Sequence, residues 1–180
     1  MVAVILANGF EEIEALTPVD ILRRAGLDVK TVSISGEKTV IGSHKIPVTA
    51  DLSADEFLGI SPDLLIFPGG MPGAKNIDES PLTDALIERT LAKCGHLAAI
   101  CAAPMILGHR GLLKGKSAVC YPGFEGELSG AKISELSVVT DGNVTTAKGM
   151  GVALEFSKEL VRLTLGEEKA KEISLSIMEH

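Results

Sequence analysis

Short apolar runs that end in glycine alternate with longer stretches of helical period from the first residues of the chain. Val2 to Leu6 is an aliphatic, largely β-branched run that stops at Asn8-Gly9, the pattern of a buried strand and the turn that ends it. Glu11 to Arg24 then spaces its apolar residues as a helix does and closes at Gly26, a glycine stop. Thr17-Pro18 inside that stretch matches a helix cap followed by proline, so the segment is expected to kink or restart there. Val29 to Ser35 is the next predicted strand. Lys38 to Thr49 holds two short alternating runs around Gly42-Ser43, which predict a small hairpin added to the main pattern.

The alternation continues. Asp63 to Phe67 predicts a buried strand that stops at Pro68-Gly69-Gly70, and Ser80-Pro81 caps a helix carrying Leu82, Leu86, Ile87 and Leu91. His96 to Ile100 is a core strand that runs without a linker into Cys101-Ala102-Ala103-Pro104, where a helix toward Arg110 begins, so the turn between them must be very tight. Val138 to Thr140 and Val144 to Ala147 flank Asp141-Gly142-Asn143 as a hairpin. Gly149-Met150-Gly151 opens a helix with Val152, Phe156, Leu160 and Leu163 on one face, and an amphipathic helix over Glu167 to Ile177 follows. With no repeat or linker, this β-α order predicts one α/β domain over residues 1–180. Its sheet would be doubly wound and mostly parallel, with helices on both faces through right-handed crossovers.

Composition narrows the functional classes. Hydrophobic residues at 46% with 23% charged suit a sheet covered on both faces and exclude disorder as the main state. A net charge of -7 without a run of Lys or Arg excludes nucleic acid as the primary partner. The three cysteines, Cys94, Cys101 and Cys120, have no CxxC spacing, which points to neither a disulfide framework nor a metal site and fits a reducing cytoplasm. No signal peptide, membrane span or phosphate-binding loop is expected, and no cofactor or metal is implied.

Ligands of parallel sheets bind beyond the carboxyl ends of the strands. Three such ends here carry distinctive residues: Gly9 with Glu11, Glu12 and Glu14; Gly69-Gly70; and Cys101. A cysteine between a buried strand and a helix N-terminus meets the positive end of the helix dipole and nearby main-chain N–H groups, which favour its thiolate. This geometry parallels the nucleophile elbow of serine hydrolases, and the small residues Ala102, Ala103 and Pro104 permit the strained backbone it needs. Gly69 and Gly70 could then offer N–H groups to an oxyanion. The competing reading is that Cys101 is a buried small hydrophobe.

A histidine partner is hard to find. His96 begins the strand that Cys101 ends, about 16 Å away; His109 lies about 12 Å along the next helix; His180 is terminal; and sequence alone does not place His44. A carboxylate remains, and a glutamate buried beside a thiolate would have its pKa raised. One of Glu11, Glu12 and Glu14 is expected to point inward, with the other two as ordinary first-turn residues.

Taken together, Ala98-Ala99-Ile100-Cys101-Ala102-Ala103-Pro104, Glu11-Glu12-Ile13-Glu14 and Pro68-Gly69-Gly70-Met71-Pro72-Gly73-Ala74 resemble the ThiJ/PfpI superfamily. Within it, the chain is similar to the branch that contains the parkinsonism-associated protein and bacterial YajL. The likeness extends to Pro18-Val19-Asp20, Arg23-Arg24-Ala25-Gly26 and Gly149-Met150-Gly151, and so covers nearly the whole chain. It implies a flavodoxin-like fold of the class I glutamine amidotransferase-like kind, a homodimer, a readily oxidised cysteine matching Cys101 and a protonated glutamate matching Glu14. The implied role is protection against oxidative and carbonyl stress. That role is either a glyoxalase- or deglycase-like reaction on a small carbonyl substrate, with Gly69, Gly70 and Ala102 holding an oxyanion, or redox sensing or chaperone action in which Cys101 becomes a sulfinate.

Tyr121-Pro122 stands where some members carry His-Pro, and these two residues with Gly149 are expected to line the pocket. A tyrosine hydroxyl is a poor general base at neutral pH. Ala102, where the peptidase branch has histidine, disfavours proteolysis, and an amidotransferase-like hydrolase lacks its histidine. His44 and Lys148 stand where relatives carry arginine.

Overall fold

The computed structural model describes residues 1–179; His180 lies outside the described residues. Along the chain come β1 (Val2–Leu6), α1 (Glu12–Arg24), β2 (Val29–Ser33), β3 (Thr39–Ile41), β4 (Pro47–Thr49), β5 (Leu52–Ser53), α2 (Ala54–Phe57) and β6 (Leu64–Phe67). Then follow α3 (Gly73–Asp78), α4 (Pro81–Ala92), β7 (His96–Ile100), α5 (Pro104–His109), β8 (Ser117–Ala118), β9 (Lys132–Ile133), β10 (Val138–Asp141), β11 (Val144–Ala147), α6 (Ala153–Leu165) and α7 (Glu167–Ser176).

Seven strands form the central sheet in the order β10-β11-β7-β6-β1-β2-β5, parallel throughout except for edge strand β10. This is the flavodoxin-like α/β arrangement read from the sequence. The strands of the β1-β6-β7 centre are buried on both faces, which is why they read as unbroken apolar runs. Ala3, Ile5, Leu65, Phe67, Leu97 and Ala99 pack with Phe57, Ile77, Ile87 and Ile106 on one side. The alternate residues Val4, Leu6, Leu64, Ile66, Ala98 and Ile100 pack with Ala15, Leu22, Phe156 and Leu160 on the other. Among the described residues no helix is long and apolar enough to cross a membrane.

Two expectations are corrected. α1 runs as one helix across Pro18, so the segment does not restart there: Ala15, Val19 and Leu22 on either side of it are buried in one cluster with the sheet and α6, which outweighs the one backbone bond a proline removes. In α6 the buried stripe is Ala153, Phe156, Leu160 and Val161, while Leu163 is exposed. Val152 sits half-buried in a 3-10 turn ahead of the helix.

The added hairpin is present as β3-β4. It folds back over the start of α1, where Gly9 N donates to Ile41 O (2.8 Å) and Ser43 N to Phe10 O (2.8 Å). Chain order reverses on the two sides of β1, so the ends of β1, β6 and β7 open on one crevice.

Candidate functional site

Cys101 lies directly at the end of β7, with φ +65 in the left-handed region that costs a non-glycine residue about 1–2 kcal/mol. Its neighbours fix that backbone: Cys101 N donates to Ala147 O at 2.9 Å, and Cys101 O accepts from Tyr121 N at 2.8 Å. The tight turn inferred from the sequence is therefore a strained one, stitched to β11 on one side and to the loop after β8 on the other.

Glu14 is 1% exposed and reaches the cysteine from α1. Its carboxylate accepts from Gly69 N through Oε2 at 2.9 Å, and the Cys101 thiol and the Met150 N–H act on it as neighbours. Burial, opposed by the Cys101 hydrogen bond, raised further by the charge of Glu11 and opposed again by the Gly69 and Met150 N–H groups, brings Glu14 up to about 7. The sulfur meets Gly70 N–H and Ala102 N–H, but burial and the charge and hydrogen bond of Glu14 outweigh them and push the thiol up to about 12. The pair thus keeps a single negative charge from near neutrality upward and titrates as a unit. Helix-dipole reasoning predicted an easily ionised thiol. The correction is that burial and the Glu14 carboxyl act against ionisation here, while the Gly70 and Ala102 N–H groups act for it. A thiolate arises here when the shared proton sits on Glu14.

The glycines are explained by closeness. A Cβ on Gly69 would stand 2.6 Å from both Cys101 Cβ and Glu14 Oε2, and one on Gly149 would stand 3.3 Å from Tyr121 Cδ2. Gly70 adopts φ +83, and a Cβ there would lie 2.4 Å from Glu11 N. Gly69 was expected to face an oxyanion, but its N–H is committed to Glu14; the N–H groups of Gly70 and Ala102 are the ones that act on the sulfur to favour its thiolate. Tyr121 is half exposed, with its ring against Gly149. Pro122 lines a different pocket with Cys120, Glu125 and Lys148.

The acidic neighbours divide their roles in a way the sequence did not reveal. Glu11 is the N-cap of α1, its Oε2 accepting from Glu14 N at 2.7 Å. Glu12, 4% exposed, holds the hairpin: Oε1 accepts from His44 N (2.8 Å), and Oε2 meets His44 Nδ1 (2.8 Å) and the Ser43 hydroxyl (3.2 Å). Burial alone would raise Glu12, but His44, the Glu12 and His44 N–H groups and Ser43 together lower it to about 2. The cue available in the sequence was Gly42, where a Cβ would collide with this carboxylate.

No described histidine bonds to Cys101. His44 pairs with Glu12, His96 Nε2 bonds Thr145 Oγ1 at 2.8 Å, and His109 bridges Asp78 (2.7 Å) and Glu127 (2.8 Å). Donor atoms of Glu11, Glu12 and His44 come within 4.8 Å of one another, yet the Glu12 oxygens and His44 Nδ1 already pair with each other and Glu11 caps a helix, so no metal is assigned to them. The three free cysteines are dispersed: Cys94 is exposed near the start of β7, Cys101 packs on the α1-α6 side of the sheet, and Cys120 is buried on the opposite side.

A family model described as the DJ-1/PfpI family matches residues 1–163. Protein dj-1beta of Drosophila melanogaster is 34% identical over 177 residues, covering 97% of this chain and 95% of that protein. The glutathione-independent glyoxalase DJR-1.2 of Caenorhabditis elegans is 30% identical over 167 residues, covering 91% and 87%. The solved structure of oxidized Toxoplasma gondii DJ-1 superposes with a TM-score of 0.94 at 34% identity, over 98% of this chain and 97% of that one.

Proposed function

This chain belongs to the DJ-1/PfpI family, and from that premise we propose that it protects against carbonyl stress by converting small α-oxoaldehydes to 2-hydroxy acids, with Cys101 as nucleophile and Glu14 as proton carrier. The observation that carries the reading is the half-buried Cys101 thiol set against the buried Glu14 carboxyl, with the N–H groups of Gly70 and Ala102 acting on the sulfur. A relative named as a glutathione-independent glyoxalase supports the reaction class.

The steps balance without a cofactor. With the shared proton on Glu14, the sulfur adds to the aldehyde carbon: an S–C bond forms, the carbonyl π pair moves to oxygen, and that oxygen takes the Glu14 proton. The Gly70 and Ala102 N–H groups steady the developing charge. Glu14 then removes the proton from the former aldehyde carbon and returns it to the adjacent carbon through an enediol, while the hydroxyl proton of the first carbon passes to the oxygen of the second. The first carbon is oxidised to a thioester as the second is reduced to an alcohol, and water cleaves the C–S bond to release the hydroxy acid and the thiol. Tyr121 and Gly149 wall the pocket in this reading. As the family resemblance implied, a second copy of the chain is the proposed partner. The apolar groove of Ile13, Leu16, Ile21, Leu154 and Ile177 between α1 and the α6-α7 layer is the face proposed for it.

Purified protein should turn over methylglyoxal and Cys101→Ser should not; equal rates in both would remove the enzyme reading. One observation favours a second reading, a redox sensor, because the same two N–H groups that face the sulfur suit a sulfinate. Absent turnover together with a gain of two oxygens at Cys101 ahead of Cys94 and Cys120 after mild peroxide would establish that reading in its place.

A further inference from the structure

His109 ends α5, the helix that follows Cys101, and both of its ring nitrogens face carboxylates: Nδ1 meets Asp78 Oδ2 at 2.7 Å and Nε2 meets Glu127 Oε2 at 2.8 Å. A neutral imidazole has one N–H and cannot donate to both; an imidazolium can. The bonds to Glu127 and Asp78, opposed by burial and reinforced by the two negative charges, hold the ring above the ordinary 6.5. Arg110 donates to Asp78 and to Asp84 of α4, so Asp78 keeps a cation when His109 loses its proton. Glu127 is half exposed and has no other ion pair among the described residues, so it is the carboxylate released.

That release reaches the elbow through main-chain bonds. Glu127 closes a 3-10 turn, its N donating to Phe124 O (3.0 Å), and Phe124 N donates to Tyr121 O (3.1 Å). Tyr121 N donates in turn to Cys101 O at 2.8 Å. A ring of contacts therefore runs from Cys101 along α5 to His109, across to Glu127, and back through the turn to Tyr121. At Gly108 a Cβ would stand 2.1 Å from Glu127 O, so the turn and the end of α5 meet backbone to backbone. A Cβ on Gly149 would lie 3.3 Å from Tyr121 Cδ2 and 3.8 Å from Glu14 Oε1, which puts the tyrosine ring across that glycine from the carboxyl.

We propose that His109 is a positioning residue: as an imidazolium bridging Asp78 and Glu127, it clamps the 121–128 segment to α5 and holds Tyr121 against Gly149 at the mouth of the crevice. That Tyr121 walls a substrate pocket rests on the functional reading above; that His109 holds Tyr121 does not.

Tyr121 is the one tyrosine of the chain and there is no tryptophan, so acrylamide quenching of tyrosine fluorescence reads this ring alone. The clamp is complete while the imidazole is charged and is lost as the pH rises through its raised pKa, so quenching should step upward between about pH 6 and pH 9. His109→Gln should remove the step and be quenched at the lower pH as strongly as the unaltered protein at the higher. Glu127→Gln, at an exposed position that folding tolerates, should remove the step too. Glu14 titrates in the same range across Gly149, so Glu14→Gln must leave the step in place. No step in the unaltered protein, a step that survives either clamp variant, or one that Glu14→Gln abolishes would overturn the proposal. With methylglyoxal, His109→Gln should raise KM about two- to fivefold, the reach of one half-exposed ion pair, with kcat little changed. An unchanged KM would overturn the positioning role and leave the functional reading standing; no turnover by the unaltered protein removes the functional reading, and quenching alone decides the clamp.

Discussion

Glu14 and Cys101 act on each other's ionisation, and in the proposed reaction the position of one proton between them decides whether sulfur or oxygen carries the charge. Glu14 raised to about 7 fixes the sign of the activity profile. Below that pH the pair holds both protons and no thiolate forms; above it one proton has left and the reactive tautomer is available, so kcat/KM should rise through about pH 7. Glu14→Gln removes both the titrating group and the proton carrier. It should lower the rate about 10²–10⁴-fold and abolish the inflection; an inflection that stays at the same pH would show that another group controls the profile. The elbow cysteine was legible because two periodicities meet there without a linker. The inward glutamate was legible as one of three, selected only by family resemblance. Gly69 was misjudged because the sequence does not say which way a peptide N–H points, and the ease of ionising the thiol because burial and a neighbouring charge are tertiary quantities.

Among the elements, α1 and the β3-β4 hairpin are joined chiefly through Glu12. Its folded pKa of about 2 lies below the ordinary 4.5, so its contribution to stability is complete above about 4.5 and is lost as the pH falls through about 2. Glu12→Gln should destabilise the protein by about 2 kcal/mol at pH 7, with the gap from the unaltered protein closing between pH 4.5 and pH 2. Urea midpoints across that range measure it, and a constant gap would mean that the charge is not what holds the hairpin. The hairpin itself was read correctly from Gly42-Ser43, but its docking on a residue 32 positions away was not local information. β5, β8 and β9 each have two residues, too few to show any period, whereas α2 did carry a readable sign in the Ser53-Glu56 capping box.

For the whole molecule, β-α alternation dictated the parallel sheet, and with it the crevice at the shared strand ends. The face proposed for a partner was not legible, because Ile13 and Leu154 read as ordinary members of amphipathic helices. If a second copy covers this groove, light scattering should give twice the monomer mass, and Ile13→Glu should shift the protein to monomer while its circular dichroism stays unchanged; a monomer in the unaltered protein would dismiss the assembly. The dispersal of the three thiols has a different consequence. Once the sulfur at the elbow accepts a first oxygen, no second thiol of the same chain stands beside it to close a disulfide and reset it. Recovery must come from a thiol supplied from outside the chain, and where none arrives in time the next oxygen makes the change permanent. The protein would then record its exposure to oxidant as a count of molecules spent, not as a reversible signal.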